Sequence, residues 1–390
     1  MLISRSIVTM TLSTPRHILL VLTLVLLSCQ IQPLSGFVTV SSTSPRSPLL
    51  LHQSSSKYNE GELTVTRPDG QDYKLAYRIA RPVSLSSRQA APTVVLHGGP
   101  SVPSDYLYPL EQAVGYRSIV FYDQLGCGKS DEPKDLNCYS IDLALDDLEA
   151  LLKKIGVRRF HLYGQSFGGI LAFEYLKRQA ERNQDDGCLS VILSSTPTNV
   201  AHAEEEASRL VAKLTEQHES DDDDVVPLEQ RFRLAHQCRT TPEKSQPLVD
   251  AYAHAGTVWR GTTAISDYEA TPPFEGATRM KSCMVMRGEH DFVTQDCIEG
   301  WKDAFNHKFV RFKVLEDCSH HGLLENGPLY GEVVLFLPSL IEHRRTPSRL
   351  ASPTPEAPSS YPSFASSRSS FSAQLSHPHK IRFTTMAWVE

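Results

Sequence analysis

Gly164-Gln165-Ser166-Phe167-Gly168-Gly169 has the G-x-S-x-G spacing of a nucleophile elbow. A serine at a sharp strand-to-helix turn exposes its hydroxyl, and flanking glycines let the backbone pass without Cβ clashes. The plainer reading is an ordinary glycine-rich turn. Context argues against it, because a β-type run, Arg159 to Tyr163, comes before and a helical run, Ile170 to Lys177, comes after. Upstream, His97-Gly98-Gly99-Pro100 follows the apolar run Thr93 to Leu96. Such a turn can aim a backbone N–H at a developing oxyanion, and the residue after the nucleophile supplies the second donor. Gly99 and Phe167 are therefore the oxyanion-hole candidates. Downstream, Gly288-Glu289-His290-Asp291 closes the run Cys283 to Arg287. A carboxylate there can orient an imidazole, with Asp291 preferred and Glu289 the alternative. Asp317-Cys318-Ser319-His320-His321 then offers a general base. His320 and His321 compete for that role, and position alone leaves both open. The order serine, acid, histidine is one in which an activated serine carries out acyl transfer.

These groups need a rigid frame. Glu62 to Arg67 and Tyr73 to Ile79 flank Asp69-Gly70, a hairpin signal. Thr93 to Leu96 and Ser118 to Tyr122 read as buried strands. Ser140 can cap a helix whose Ile141, Leu145, Leu148, Leu152 and Ile155 recur at helical spacing, and Gly156 ends it. Strands at 159–163 and 189–194 enclose the helix 170–177. Strands and helices thus alternate after an opening hairpin, which predicts a mostly parallel sheet with helices on both faces. The alternation breaks at Pro197 and resumes with a strand at Cys283 to Arg287, a helix near Gln295 to Phe305, a strand at Phe309 to Leu315 and a last helix near Leu329 to Ile341. The expected organisation is a core in two parts, 58–196 and 279–345, with a helical lid inserted at 197–278. The lid contains the acidic run Asp221 to Asp224, which reads as a solvated surface.

The ends differ from this core. Arg5 and Arg16 precede an apolar run from Ile18 to Leu27, long enough for a signal segment but short for a membrane span. Residues 1–57 read as a targeting presequence that enters the secretory pathway. Phe37 after Leu34-Ser35-Gly36, followed by a Ser/Thr-rich stretch without acids, resembles a bipartite plastid presequence; secretion or a membrane anchor is the alternative. No membrane partner is expected once the presequence is removed. Residues 346–390 are Ser/Pro-rich at their start and read as a disordered tail. A net charge of -6 provides no basic surplus for nucleic acid. Eight cysteines without a C-x-x-C pair give no zinc or redox motif.

Taken together, the motifs resemble proline iminopeptidases and the related tricorn-interacting aminopeptidases. The resemblance is carried by Val94 to Gly99, Asp105-Tyr106-Leu107, Phe121 to Pro133, Gly164 to Gly169, Gly288 to Asp291 and Asp317 to His320. It implies an α/β-hydrolase fold and release of an N-terminal residue, often proline, from short peptides or small amides. The family's D-C-S-H ending selects His320. No metal or organic cofactor is implied. The chain departs from the family in three places: Ser101 replaces a glycine after Gly-Gly-Pro, Gly256 to Gly261 lacks an expected acid, and the second lid acid has only Glu243 near its place. An esterase or amidase acting on neutral substrates, or a non-catalytic binder of the same fold, are the competing expectations.

Overall fold

The computed structural model describes residues 58–82, 90–184, 187–216, 226–273, 282–305 and 310–343. The expected presequence, the acidic run at 221–224 and the tail lie outside the described residues. No helix among the described residues is long and apolar enough to cross a membrane.

The opening hairpin pairs β1 (Tyr58–Thr66) with β2 (Asp72–Ala80) around Gly70, whose φ of 77° suits glycine. The other strands are β3 (Thr93–Leu96), β4 (Ile119–Tyr122), β5 (Phe160–Gln165), β6 (Cys188–Ser194), β7 (Cys283–Gly288) and β8 (Val310–Leu315). They form one eight-stranded sheet in the order β1-β2-β4-β3-β5-β6-β7-β8. Pairing is antiparallel through β1, β2 and β4 and parallel from β4 to β8. Val94, Val95 and Leu96 of β3 and Leu162 and Tyr163 of β5 are buried on both faces, as central parallel strands require.

Helix α1 (Ile141–Lys154) starts where Ser140 accepts the Leu143 N–H at 3.1 Å, and it ends before Gly156 at φ 69°. Its apolar stripe packs Leu145, Leu148 and Leu151 into the core. Helix α2 (Phe167–Glu181) leaves directly from the elbow. Between β6 and β7 the described chain is helical, with α3 (Val200–Glu216), a short helix Leu228–Phe232, a π-helical turn Arg233–Gln237 and α4 (Pro242–Ala253). These helices occupy the stretch where a lid insertion is expected, and we refer to it as the lid. The last helix, α5, runs Gly327–His343.

One expected helix is split. The segment 295–305 forms two short helices, Gln295–Glu299 and Trp301–Ala304, that meet at Gly300. A Cβ on Gly300 would approach Thr198 Oγ1 to 3.0 Å. Next to it, the buried Trp301 donates its indole N–H to Thr196 O at 2.8 Å. Tertiary packing overrides helical periodicity at that point.

Candidate active site

All four motifs lie at the carboxyl ends of β3, β5, β7 and β8. In open parallel sheets this edge is where sites are built. Ser166 follows β5 at φ 53° and ψ -121°, a conformation that side-chain-bearing residues seldom adopt. The elbow's glycines are demanded by contact. A Cβ on Gly164 would sit 2.3 Å from Gly168 O, and one on Gly168 would sit 2.0 Å from Leu96 O. The Ser166 N–H is held by Ser194 O at 2.8 Å, so the turn is anchored to the neighbouring strand.

Asp291 and His320 meet as the sequence predicts. His320 Nδ1 lies 2.9 Å from Asp291 Oδ1, and both side chains are buried. The same carboxylate oxygen accepts the Val293 N–H at 2.9 Å. Phe292 stacks on the His320 ring, with centroids 4.2 Å apart. His320 and His321 are thereby told apart. His321 stands edge-on to His320 and Tyr106 at 5.2 Å, with no carboxylate against it among the described residues. Glu289 is told apart from Asp291 as well, because its carboxylate turns outward to accept the Asp317 N–H at 3.1 Å.

Ser166, His320, Gly99 and Phe167 line one cavity. The hydrogen bonds among the described residues include none between the Ser166 hydroxyl and His320; in ligand-free sites that contact is commonly long and tightens on the substrate. Among the described residues, the N–H groups of Gly99 and Phe167 donate to no other protein acceptor. Two uncommitted donors beside a half-buried serine hydroxyl in one cavity are what an oxyanion hole requires.

The turn at His97 to Pro100, the candidate oxyanion turn, is scaffolded by the Phe121-to-Pro133 motif. His97 is fully buried, with Nδ1 3.0 Å from Gly98 O and Nε2 accepting the Gln124 N–H at 2.9 Å. Asp123 accepts the Ser104 N–H at 3.1 Å and the Lys129 N–H at 3.0 Å. This motif therefore holds the turn in place and brings no reacting group of its own. Ser101, standing where the resemblance expects glycine, takes the left-handed conformation at φ 66°. Its hydroxyl donates to Trp259 O at 2.6 Å. The turn keeps its shape through that bond, and Gly99 keeps its place in the cavity.

Sequence reasoning passed over Gln165, although it stands inside the elbow motif. Its side chain joins two parts of the site: Oε1 accepts the Tyr106 hydroxyl at 2.7 Å, and Nε2 donates to His320 O at 3.4 Å. Tyr106 in turn accepts the Gly98 N–H at 2.8 Å. The oxyanion turn and the histidine loop are thus braced against each other. Gln165→Leu should cost roughly 10- to 100-fold in kcat/KM while the fold survives, because small misplacements of reacting groups are that expensive. Steady-state kinetics beside a thermal melt would check this, and wild-type kinetics in a folded variant would refute the bracing role.

The lid also reaches the histidine. His236 O and Gln237 O in the π-helical turn accept the N–H groups of His320 and His321, at 3.3 and 3.0 Å. His236 Nδ1 lies 2.9 Å from His290 O. Such turns are frequent at functional sites.

Glu243 does not join the cavity. It is exposed in the first turn of α4, on a separate groove beside α5. Among the described residues, the lid carboxylate that does line the cavity is Glu204 of α3, half-buried. The structure thus places Glu243 with Leu323, Pro328 and Gly331 rather than with Ser166 and His320. Glu204 lies in an amphipathic helix whose inward face becomes visible only once the helix is docked.

Burial pushes the His97 imidazole below its ordinary pKa of 6.5. Burial, and then the neighbouring His320, push His321 well below the same value. A histidine depressed in the folded state takes up its proton more readily when unfolded. Stability is then intact above about pH 6.5 and falls as pH drops below it, by about 1.4 kcal/mol per pH unit for each group. Asp147, raised by burial to about 6, works in the opposite direction between its unfolded value of 3.8 and that pH. We expect urea midpoints to fall between pH 7 and pH 6, and less steeply in His321→Gln. A flat profile there would contradict this.

A family model for the alpha/beta hydrolase fold matches residues 92–327. The chain belongs to the α/β-hydrolase family. Its relatives within that family include proline iminopeptidases. The enzyme of Saccharolobus solfataricus is 38% identical over 129 residues, 33% of this chain and 40% of that protein. The enzyme of Lactobacillus delbrueckii subsp. bulgaricus is 27% identical over 268 residues, 63% of this chain and 88% of that protein. Among solved structures, a proline iminopeptidase of Mycobacterium smegmatis has a TM-score of 0.59 at 22% identity, covering 73% of this chain and 99% of that one. VinJ has a TM-score of 0.57 at 25% identity, covering 72% and 99%. The first of these structures supports the fold alone. The α/β-hydrolase is therefore a hydrolase related to proline iminopeptidases.

Proposed function

We propose that this α/β-hydrolase is a serine aminopeptidase that releases the N-terminal residue of short peptides or amides through an acyl-enzyme. The observation that carries the reading is the buried His320–Asp291 hydrogen bond of 2.9 Å, in the same site as the Ser166 elbow. Ser166 attacks the scissile carbonyl while His320 takes its proton, and Asp291 holds the imidazole in the productive tautomer. The Gly99 and Phe167 N–H groups stabilise the oxyanion. His320 then protonates the leaving amine, and water enters to hydrolyse the ester on Ser166 with His320 again as base. Glu204 supports the aminopeptidase form of this chemistry, since a substrate ammonium entering an apolar cavity needs a charged partner.

The test compares proline and alanine naphthylamides with their N-acetylated forms and with a short acyl ester. Free amines should be preferred to blocked ones by at least about 10-fold, on the scale of one charge-assisted contact. Turnover of the ester alone would replace the aminopeptidase with an esterase. Inertness toward all of them would remove the enzymatic reading.

A further inference from the structure

Gln237 ends the π-helical turn and is fixed through both its main chain and its side chain. The Cys238 N–H closes the turn on Arg233 O at 2.8 Å. The Gln237 carbonyl accepts the His321 N–H at 3.0 Å, which ties the residue to the histidine loop. Its side-chain Nε2 donates to the Tyr252 hydroxyl at 2.8 Å. The residue is only 5% exposed, and it lines the catalytic cavity. Among the described residues, no protein group donates to its Oε1. A buried carbonyl oxygen without a donor is unfavourable, so an unfilled acceptor on a cavity wall favours a ligand that brings a donor.

The same cavity holds a second acceptor. The Glu204 carboxylate, half-buried on α3, forms no ion pair among the described residues. Much of the remaining wall is apolar, with Ala203, Ala207, Phe232 and Phe292 among its residues. A primary ammonium carries three N–H donors, and the ammonium of an N-terminal proline carries two. One carboxylate balances the charge. An N–H left facing apolar side chains would lose its water without replacement. Glu204 supplies the charge, and Gln237 supplies a neutral acceptor that its bond to Tyr252 holds in place.

We propose that Gln237 is a specificity-determining residue whose Oε1 accepts a hydrogen bond from the substrate ammonium, beside the charge supplied by Glu204. This rests on the aminopeptidase reading and deepens it. The side chain takes no part in the proton transfers, so its effect falls on binding of the free amine and is read in KM.

The test uses the full chain with alanine naphthylamide and propionyl naphthylamide, which differ only in the amino group, and with N-acetylalanine naphthylamide, which keeps a neutral N–H. In the wild type, the alanyl-to-propionyl ratio of kcat/KM should be at least about 10. Gln237→Leu should lower that ratio about 5- to 10-fold, carried by KM, because a hydrogen bond to a charged group is lost. Gln237→Met, which keeps the length and lacks the acceptor, should do the same. Gln237→Glu keeps an acceptor and adds charge, so the ratio should stay at or above the wild-type value. The ratio is insensitive to a general loss of active protein, and the methionine variant reports if the leucine variant fails to fold. A ratio unchanged in the leucine or methionine variant overturns the proposal, and so does one that falls equally in Gln237→Glu, which would give the side chain a packing role alone. An equal fall in the N-acetylalanyl-to-propionyl ratio overturns it too, by making a neutral N–H the ligand. Each of these results leaves the aminopeptidase reading standing. A wild-type alanyl-to-propionyl ratio near one, or no turnover of any of the three substrates, overturns both.

Discussion

Ser166→Ala is expected to lower kcat/KM by about 10⁵- to 10⁶-fold and to abolish labelling by a fluorophosphonate probe. The size follows from the proposed mechanism: without the hydroxyl no acyl-enzyme would form, and what survives would be the contribution of the oxyanion hole and of binding. The fold should tolerate the change. The residue already holds φ at 53°, and alanine meets the same backbone restriction as serine. Surface-like effects within about 0.5 kcal/mol are expected in urea unfolding. The experiment therefore separates chemistry from stability. A variant that is folded and still labels would place the nucleophile elsewhere.

The second large effect concerns the acid and the base. Asp291→Asn should reduce kcat/KM at neutral pH by about 10⁴-fold with little change in the fold. Asparagine keeps the shape but presents either an amide N–H or a neutral carbonyl to His320 Nδ1. It can no longer stabilise the imidazolium that forms as Ser166 is deprotonated. His320→Ala should fall at least as far, whereas His321→Ala should lose about 10-fold or less through altered packing around Tyr106 and His320. A larger loss at position 321 than at 320 would reverse the assignment of the base. Glu289→Gln should leave activity within a few-fold of wild type, since its carboxylate caps the Asp317 N–H at the surface of the loop.

Much of this site was legible because its parts are local. The elbow is a strand, a turn and a helix within a dozen residues, and Gly164 is dictated by Gly168 O inside that span, whereas Gly168 is dictated by Leu96 O on the neighbouring strand. The hairpin at Gly70 and the Ser140 cap are local in the same sense. The lid was less legible. Its helices could be outlined from texture, yet their inward faces depend on docking. Glu243 stood near the expected position along the chain and still faces a different groove. Gln165 was visible in the motif, but its bridging role needs Tyr106 and His320, which come from distant parts of the chain.

The amino-acid sequence alone yielded the α/β-hydrolase frame and, as candidates, the serine, the order in which an acid and a base follow it, and two N–H donors. Those features are marked by residue spacing and hydrophobic periodicity, which are written in neighbouring residues, even where the sterics behind them, as at Gly168 against Leu96 O, come from another strand. Tertiary structure alone decided which histidine meets Asp291, which lid carboxylate reaches the cavity, and that the Ser101 hydroxyl meets Trp259 O. Each of these is a contact between segments separated by long stretches of chain. Its geometry is set by packing a helical lid against a sheet edge, which no local pattern encodes.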